Sequence, residues 1–346
     1  MTRPTFLDSG ELAGLGWGPF FDDQMQTEDA GLVPVRIAVV HRSRLKGEAG
    51  AGAGAGPLDL DLLSSTMDYA VGDWALMDPV AKRVVRRLDR KMLLRRPVEH
   101  VRIPQLIAAN VDTLFIVSSC NDDFNPARLE RYLAVVNESG ATPVIVLTKI
   151  DQVEDPASWV ARAKEMQRGL AVVQVNAKSP DAHTILAPWC GEGQTVALVG
   201  SSGVGKSTLL NTLAGKTAED AQPTGDIRES DAKGRHTTTA RSLHRIAGGG
   251  WVIDTPGMRT LHIGDVSAGL DVLFAEITEL APQCRFRDCS HAHEPGCAVQ
   301  AAVASGQLSS ARLDRWRKLD DENRANTPVL SGPKGNKVAA NRTKRR

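Results

Sequence analysis

One segment constrains this chain more than any other: Gly200-Ser201-Ser202-Gly203-Val204-Gly205-Lys206-Ser207-Thr208. It fits G-x-x-x-x-G-K-[ST]. The apolar run TVALV precedes it, and Leu209, Leu210 and Leu213 follow at helical spacing, with Gly215 at the expected helix end. A strand that turns through glycines into a helix start aims several backbone N–H groups at one point, and the helix dipole adds positive potential there. Such a point takes phosphate. Lys206 can neutralise the outer phosphates, and the Ser207 hydroxyl can reach Mg²⁺. A chain carrying this segment must build at least one strand–loop–helix unit of an α/β sheet.

The surrounding pattern agrees. Continuous apolar runs at 111–119, 143–148, 170–175 and 195–200 alternate with helix-like stretches at 126–138 and 157–168. Buried strands alternating with helices give a parallel sheet covered on both faces. Earlier, Val33, Val35, Ile37 and Val39 alternate as in a half-buried strand, and 69–87 reads as two short strands with a turn near Asp78-Pro79. The stretch 46–57, KGEAGAGAGAGP, reads as a flexible loop, so a small all-β barrel is expected at the N-terminal end. After residue 270 the chain reads as helical and polar, with an exposed helix over 311–324. From 323 to 346 it holds seven basic residues and no acid, the pattern of a disordered tail.

Further motifs turn a phosphate site into a nucleotide site. Asp254-Thr255-Pro256-Gly257 follows the strand-like Trp251-Val252-Ile253, so Asp254 can hold Mg²⁺ through water and the Gly257 N–H can face a terminal phosphate. Thr148-Lys149-Ile150-Asp151 ends the run PVIVL and resembles the guanine-reading [NT]-K-x-D motif. The Asp151 carboxylate can accept from two guanine donors that adenine lacks, and the Lys149 stem can lie over the ring. Asn176-Ala177-Lys178 ends the next strand, where an alanine N–H can meet the guanine oxygen. The base-reading motifs precede the phosphate-binding motifs, a circularly permuted GTPase order. Between the phosphate loop and Asp254 lies GRHTTTAR, residues 234–241. Any of Thr237, Thr238 and Thr239 can supply a switch hydroxyl to Mg²⁺, with Thr238 the central candidate. Met258 stands where related enzymes place a water-orienting glutamine. His236 is either its substitute or a solvent-exposed loop histidine.

Cys284, Cys289, His291 and Cys297 have the spacing C-x4-C-x-H-x5-C, a donor set that closes a tetrahedral Zn²⁺ site, with His293 as a competing imidazole. Three of the five cysteines fall in this stretch, which points to metal rather than disulfides. Cys120 and Cys190 read as packing residues. No apolar run approaches the roughly 18 residues of a membrane span, so a cytoplasmic chain without membrane contact is expected. With 42 basic and 41 acidic side chains, a uniformly basic nucleic-acid binder is excluded, though a local patch is not. Six Trp, two Tyr and seven Phe disfavour a surface that stacks many bases.

The combination GSSGVGKST, GRHTTTAR, DTPG and C-x4-C-x-H-x5-C, behind a small β-barrel, resembles the family of ribosome small-subunit-dependent GTPases (RsgA, YjeQ, EngC) over about residues 31–325. The resemblance implies an OB-fold RNA-binding domain (31–100), a circularly permuted P-loop GTPase domain (101–270) and a helical zinc-binding domain (271–325); the N-terminal extension (1–30) departs from compact members of the family, and the basic disordered tail (326–346) is read from its composition. It selects His291 over His293 and implies one structural Zn²⁺ per chain, with Mg²⁺ accompanying GTP. It further implies a cytoplasmic monomer that binds the small ribosomal subunit and its rRNA and assists late maturation, with slow GTP hydrolysis stimulated by the subunit. The alternative is a GTP-binding structural RNA-assembly factor in which hydrolysis is dispensable.

Overall fold

A computed structural model of the chain describes residues 9–50, 57–98, 101–215, 241–254, 265–327, 330–331 and 337–338. Contacts divide it into two compact units, Met1–Pro126 with Ser139–Thr260, and Ala127–Glu138 with Leu261–Arg346.

The first unit begins with helices α1 (Ser9–Gly14) and α2 (Pro19–Asp22), followed by strands β1 (Val33–Val40), β2 (Leu45–Ala49), β3 (Leu58–Leu60), β4 (Trp74–Asp78) and β5 (Arg83–Arg87). β1 pairs antiparallel with β2 and β4, β2 with β3, and β4 with β5. A parallel bridge between Asp61 and Arg83 joins the end of β3 to β5, so the pairing runs β1-β2-β3-β5-β4 and returns to β1. Val35, Ile37, Leu45, Leu60, Tyr69, Ala75, Met77 and Val84 fill this ring.

The loop expected over 46–57 starts later than its composition suggests, because Lys46–Ala49 is strand. Gly47 is needed there: a Cβ on it would sit 2.4 Å from Val35 Cγ2. Residues 51–56 lie outside the described residues. Residues 9–30 are built into the unit as well. Leu12, Leu15 and Phe21 are buried, and the Trp17 ring meets Trp74 edge-on at 4.9 Å.

A hairpin, β6 (Leu93–Val98) with β7 (Val101–Ala109), leads to β8 (Thr113–Ser119). After helix α3 (Pro126–Ser139) come β9 (Thr142–Thr148), α4 (Pro156–Lys164), β10 (Ala171–Gln174), α5 (Asp181–Leu186), β11 (Thr195–Val199), α6 (Lys206–Leu213), β12 (Arg241–Arg245) and β13 (Trp251–Asp254). The sheet order is β10-β9-β8-β11-β13-β12, parallel throughout except for the antiparallel β12. The long β1 overhangs its ring, and its end pairs with β12 at Val39↔Ser242 and Val40↔Arg241. Ring and nucleotide sheet are therefore one hydrogen-bonded surface. Arg36 reinforces the join: fully buried on β1, it donates to Thr195 Oγ1 at 2.6 Å and to the Leu15 carbonyl. Burial lowers its pKa to about 10, with Asp112 acting in the opposite direction. Phe115, Val146, Val196, Leu198, Leu209 and Leu213 lie in the sheet's main core.

The second unit gathers α3, α7 (Ser267–Leu273), α8 (Ala275–Leu280), α9 (Ala298–Ala304) and α10 (Ser310–Asn326). The helix expected to be exposed over 311–324 is α10, and it buries Arg312, Leu313, Leu319 and Asn323. Its charge-rich sequence conceals that face because one of its four buried residues is an arginine. Arg312 donates to Glu130 Oε1, Glu276 Oε1 and the Leu273 carbonyl, each at 2.7 Å, and its Cζ lies 4.1 Å from the Phe274 ring centre. Arg315 Nε reaches both oxygens of the fully buried Glu130 at 2.9 Å. In the tail expected to lack structure, the backbone of Leu330–Ser331 pairs antiparallel with Lys337–Val338.

Candidate functional site

In a parallel sheet the strand ends share one edge, and ligands bind outside the carboxyl ends. Thr148 ends β9, Gly200 follows β11, Asp254 ends β13, and Asn176 lies two residues past β10. Four motifs separated by up to 106 residues of chain thus meet along one edge (148 to 254).

The phosphate loop has the geometry its glycines predict. Gly200, Gly203 and Gly205 have φ of 143°, 76° and 98°. A Cβ on Gly200 would lie 2.2 Å from the Val117 carbonyl oxygen, so the loop leaves β11 directly over β8 and no side chain fits there. Val204 is buried under the loop, whereas Ser202, Gly203 and Ser207 are exposed and Ser201 and Thr208 half-buried. Helix α6 starts at Lys206, whose Nζ donates to the Ser201 carbonyl.

The base-reading segments attach directly to this loop. Thr148, 1% exposed, donates its single hydroxyl proton at 2.6 Å to the Val204 carbonyl, with the Ser118 carbonyl at 3.2 Å. A Cβ on Gly205 would lie 3.7 Å from Thr148 Oγ1 and 3.8 Å from Ala177 Cβ. Ala177 is held from the other side, since Thr212 Oγ1 on α6 donates to its carbonyl at 2.7 Å. Asn176 Oδ1 accepts from the Lys178 N–H at 3.0 Å and shapes that turn. Lys149 sits at a φ of 56°, in the left-handed region, which swings the chain off β9 into the turn Ile150–Gln152. That turn leaves Asp151 exposed at the edge and Ile150 half-buried.

Thr148 and Thr212 are the contributions that motif reading missed. In the sequence Thr148 stands only as the first residue of the TKID motif, whereas in the structure its hydroxyl is spent on the phosphate loop. Thr212 belongs to no motif; a hydroxyl on the apolar side of a helix was the only signal available. Asp254 is half-buried opposite Ser242 on β12. His236, Thr238, Gly257 and Met258 lie outside the described residues. Cys120 and Cys190 are buried, Cys190 within the sheet core, and burial pushes their thiols up to about 11 and 12, which keeps them protonated and inert.

In the second unit the ligand atoms of Cys284, Cys289, His291 and Cys297 all lie within 4.8 Å of one another. His291 Nδ1 is 3.5 Å from the sulfurs of both Cys284 and Cys297, and those sulfurs are 3.8 Å apart. A tetrahedral zinc ion with ordinary bond lengths needs edges of about 3.6 Å and about 3.8 Å, so the donor set fits. The cluster can hold a metal ion. His291 is buried in the left-handed region at φ 58°, whereas His293 is exposed and outside the group. Residues far along the chain fix the histidine: Gln300 Nε2 donates to its carbonyl at 2.6 Å, and Arg317 Nη2 donates to the same oxygen. Backbone N–H groups of Ala298 and Val299 point at the Cys284 sulfur, and that of Gln300 at the Cys297 sulfur at 3.4 Å. Such donors stabilise thiolates and orient the ligands.

A phosphate loop, base-reading turns preceding it in sequence, and an acid-tipped strand following it define a circularly permuted GTPase. The profile of the RsgA GTPase family matches residues 87–264. The chain is 63% identical over 338 residues to the small ribosomal subunit biogenesis GTPase RsgA of Mesorhizobium japonicum, covering 98% of this chain and 97% of that protein. It is 47% identical over 324 residues to RsgA 2 of Vibrio vulnificus, with 92% and 90% coverage. Among solved structures, YjeQ from Thermotoga maritima aligns with a TM-score of 0.62 at 25% identity, covering 84% of this chain and 98% of that one. YloQ, a circularly permuted GTPase, shares the fold with a TM-score of 0.60. This chain belongs to the RsgA GTPase family and is a GTP hydrolase.

Proposed function

We propose that this GTPase binds the small ribosomal subunit and assists its late maturation, hydrolysing GTP slowly alone and faster on the subunit. The observation that carries the nucleotide half is the Thr148–Val204 bond, which joins a base-reading strand to the phosphate loop. The ribosomal half is supported by the relative from Mesorhizobium japonicum, named for small-subunit biogenesis, to which this chain is 63% identical.

In this reading Asp151 accepts from guanine and Lys149 covers the ring. The N–H groups of 200–208 and Lys206 hold the phosphates. Ser207 and Asp254 at the sheet edge, with Thr238, would hold Mg²⁺, which supplies charge neutralisation at the outer phosphates. Their fit rests on Ser207 lying exposed in the first turn of α6 and Asp254 ending β13, the strand beside β11. His236 orients the attacking water. The closed strand ring is an OB-type barrel facing rRNA, a reading supported by the order β1-β2-β3-β5-β4 and its single parallel closure. Cys284, Cys289, His291 and Cys297 hold one structural Zn²⁺, and the protein acts as a cytoplasmic monomer. Among the described residues no helix is long and apolar enough to cross a membrane.

The test is a GTPase assay titrated with each purified ribosomal subunit. Turnover is expected to rise with the small subunit and not with the large one. Equal responses, or none, overturn the ribosomal half of the proposal.

A further inference from the structure

The four-ligand cluster pins the two ends of a short loop, Cys284-Arg285-Phe286-Arg287-Asp288-Cys289, and the loop's side chains face outward. Arg285, Phe286 and Arg287 are all exposed. Phe286 is 41% exposed. Among the described residues the other exposed phenylalanine is Phe20, whose ring packs on Phe21 at 5.1 Å. Phe286 has a different neighbour, the Arg285 guanidinium, 5.6 Å from its ring centre. With Arg287 next in sequence and exposed, and Asp288 as the loop's one acid, the tip carries a net positive charge beside a partly exposed ring.

The backbone is set independently of those side chains. Arg285 N–H donates to the Gly296 carbonyl at 3.0 Å, and Cys289 N–H to the Phe286 carbonyl at 3.4 Å. The following turn is tied by the Glu294 carboxylate, which accepts from the N–H groups of Ser290 and Ala292 at 2.8 and 3.0 Å. The loop therefore needs no ordering on contact with a partner, and the entropy cost of presenting the ring is already met by the fold.

We propose that Arg285, Phe286 and Arg287 form a single-base stacking finger for RNA. Phe286 takes one unpaired base on its ring, and the flanking guanidiniums take the adjoining phosphates. Duplex RNA does not offer a free base face, so the finger selects unpaired nucleotides. Every base has a π-face, so it selects without regard to sequence. This inference rests on the ribosomal reading above and names the contact one surface of the protein makes there. One finger is also consistent with a chain poor in aromatic residues.

The test uses the full-length, zinc-loaded protein, a short fluorescein-labelled single strand of RNA, the matching duplex, and purified small subunits. Phe286→Ala is expected to weaken single-strand binding roughly five- to hundredfold, with zinc content and melting unchanged and duplex binding unaffected. Phe286→Trp keeps the affinity, whereas Phe286→Leu, apolar but without a π-face, behaves like the alanine variant. Arg285→Gln with Arg287→Gln lowers the salt slope of single-strand binding by about 1.4. Wild-type affinity in Phe286→Ala, equal losses on single strand and duplex, or no single-strand binding by the wild type would each overturn the proposal. So would a Phe286→Leu variant that binds like wild type, which would assign the residue to an apolar protein contact. If the wild type binds single strands but not small subunits, the ribosomal reading fails and the finger stands.

Discussion

The nucleotide sheet and the C-terminal unit solve the same problem with opposite materials. In the sheet, every residue of β8 and β11 is buried, and the core is built mainly of Val and Leu. Apolar burial is non-directional and spread over many contacts, so removing one methyl group removes one share. In the C-terminal unit nine of the 17 residues of α10 are charged, and beside its apolar residues it relies on the Arg312–Glu130 pair and on a cluster of three thiols with an imidazole. Those contacts are few and directional, and each becomes a liability once its partner goes. The difference teaches that the two units should fail differently, the sheet gradually and the C-terminal unit at single points.

The largest effect is expected at the Cys/His cluster, which can hold a metal ion. Structural zinc contributes about 10–16 kcal/mol of folding free energy in zinc-finger peptides. Chelation of the metal, or Cys289→Ala, should unfold the region around 276–325 and leave GTP binding intact. Hydrogen exchange combined with fluorescent-nucleotide titration checks both halves. Loss of nucleotide affinity in step with loss of metal would erase the contrast between the two units.

Next comes the buried ion network. Arg312→Ala strands Glu130 with Arg315 alone and should cost about 3–5 kcal/mol, read as a lower denaturant midpoint for the C-terminal unit. Arg312→Met combined with Glu130→Leu removes both charges and should recover most of that loss. In the sheet, Leu209→Ala should cost about 2–5 kcal/mol. If the Arg312/Glu130 pair responds like a leucine, additive and without rescue, the contrast in materials is wrong.

What could be read in the sequence divides along the same line. The parallel strands, the phosphate loop and the convergence of TKID with GSSGVGKST follow local rules of apolar runs, glycine conformations and strand ends, so the sheet was legible. The Cys/His cluster was legible too, because ligand spacing is local. The burial of α10 was not: Arg312 looks like surface until Glu130, 182 residues earlier, is brought against it. Likewise Gln300 and Arg317 reach the His291 carbonyl through the tertiary fold alone. Strand β2 was hidden by its glycine, which composition reads as loop but which the close approach of Val35 requires. Polar contacts between distant residues leave no periodic trace, whereas apolar burial does.

At the nucleotide edge the contrast sharpens, because there the sheet too depends on directional contacts. Asp151 is exposed and supports no packing. Asp151→Asn should therefore leave melting unchanged while removing much of a GTP-over-ATP preference of at least about a hundredfold, since an amide cannot accept from both guanine donors. Competition titrations with GTP and ATP measure it, and equal affinities in the wild type would remove Asp151 from the site.

The smallest expected effect tests Thr148, where stability and ligand binding meet. Its hydroxyl proton serves the Val204 carbonyl at 2.6 Å inside a site that water does not reach, the residue being 1% exposed. Thr148→Val keeps the shape and deletes the donor, leaving a buried carbonyl unpaired at about 1–3 kcal/mol. Part of that cost should appear as lower stability and part as a loosened phosphate loop, with GTP affinity falling about tenfold when about 1.4 kcal/mol of it falls on binding. Thr148→Ser keeps the donor and loses only a methyl group, so it should bind GTP nearly as the wild type does. If valine and serine variants bind alike and differ only in melting, the hydroxyl holds up the core and does not position the loop. If valine loses affinity and serine keeps it, the bond between strand and loop sets the site, and this part of the sheet fails at a single point, as the C-terminal unit does.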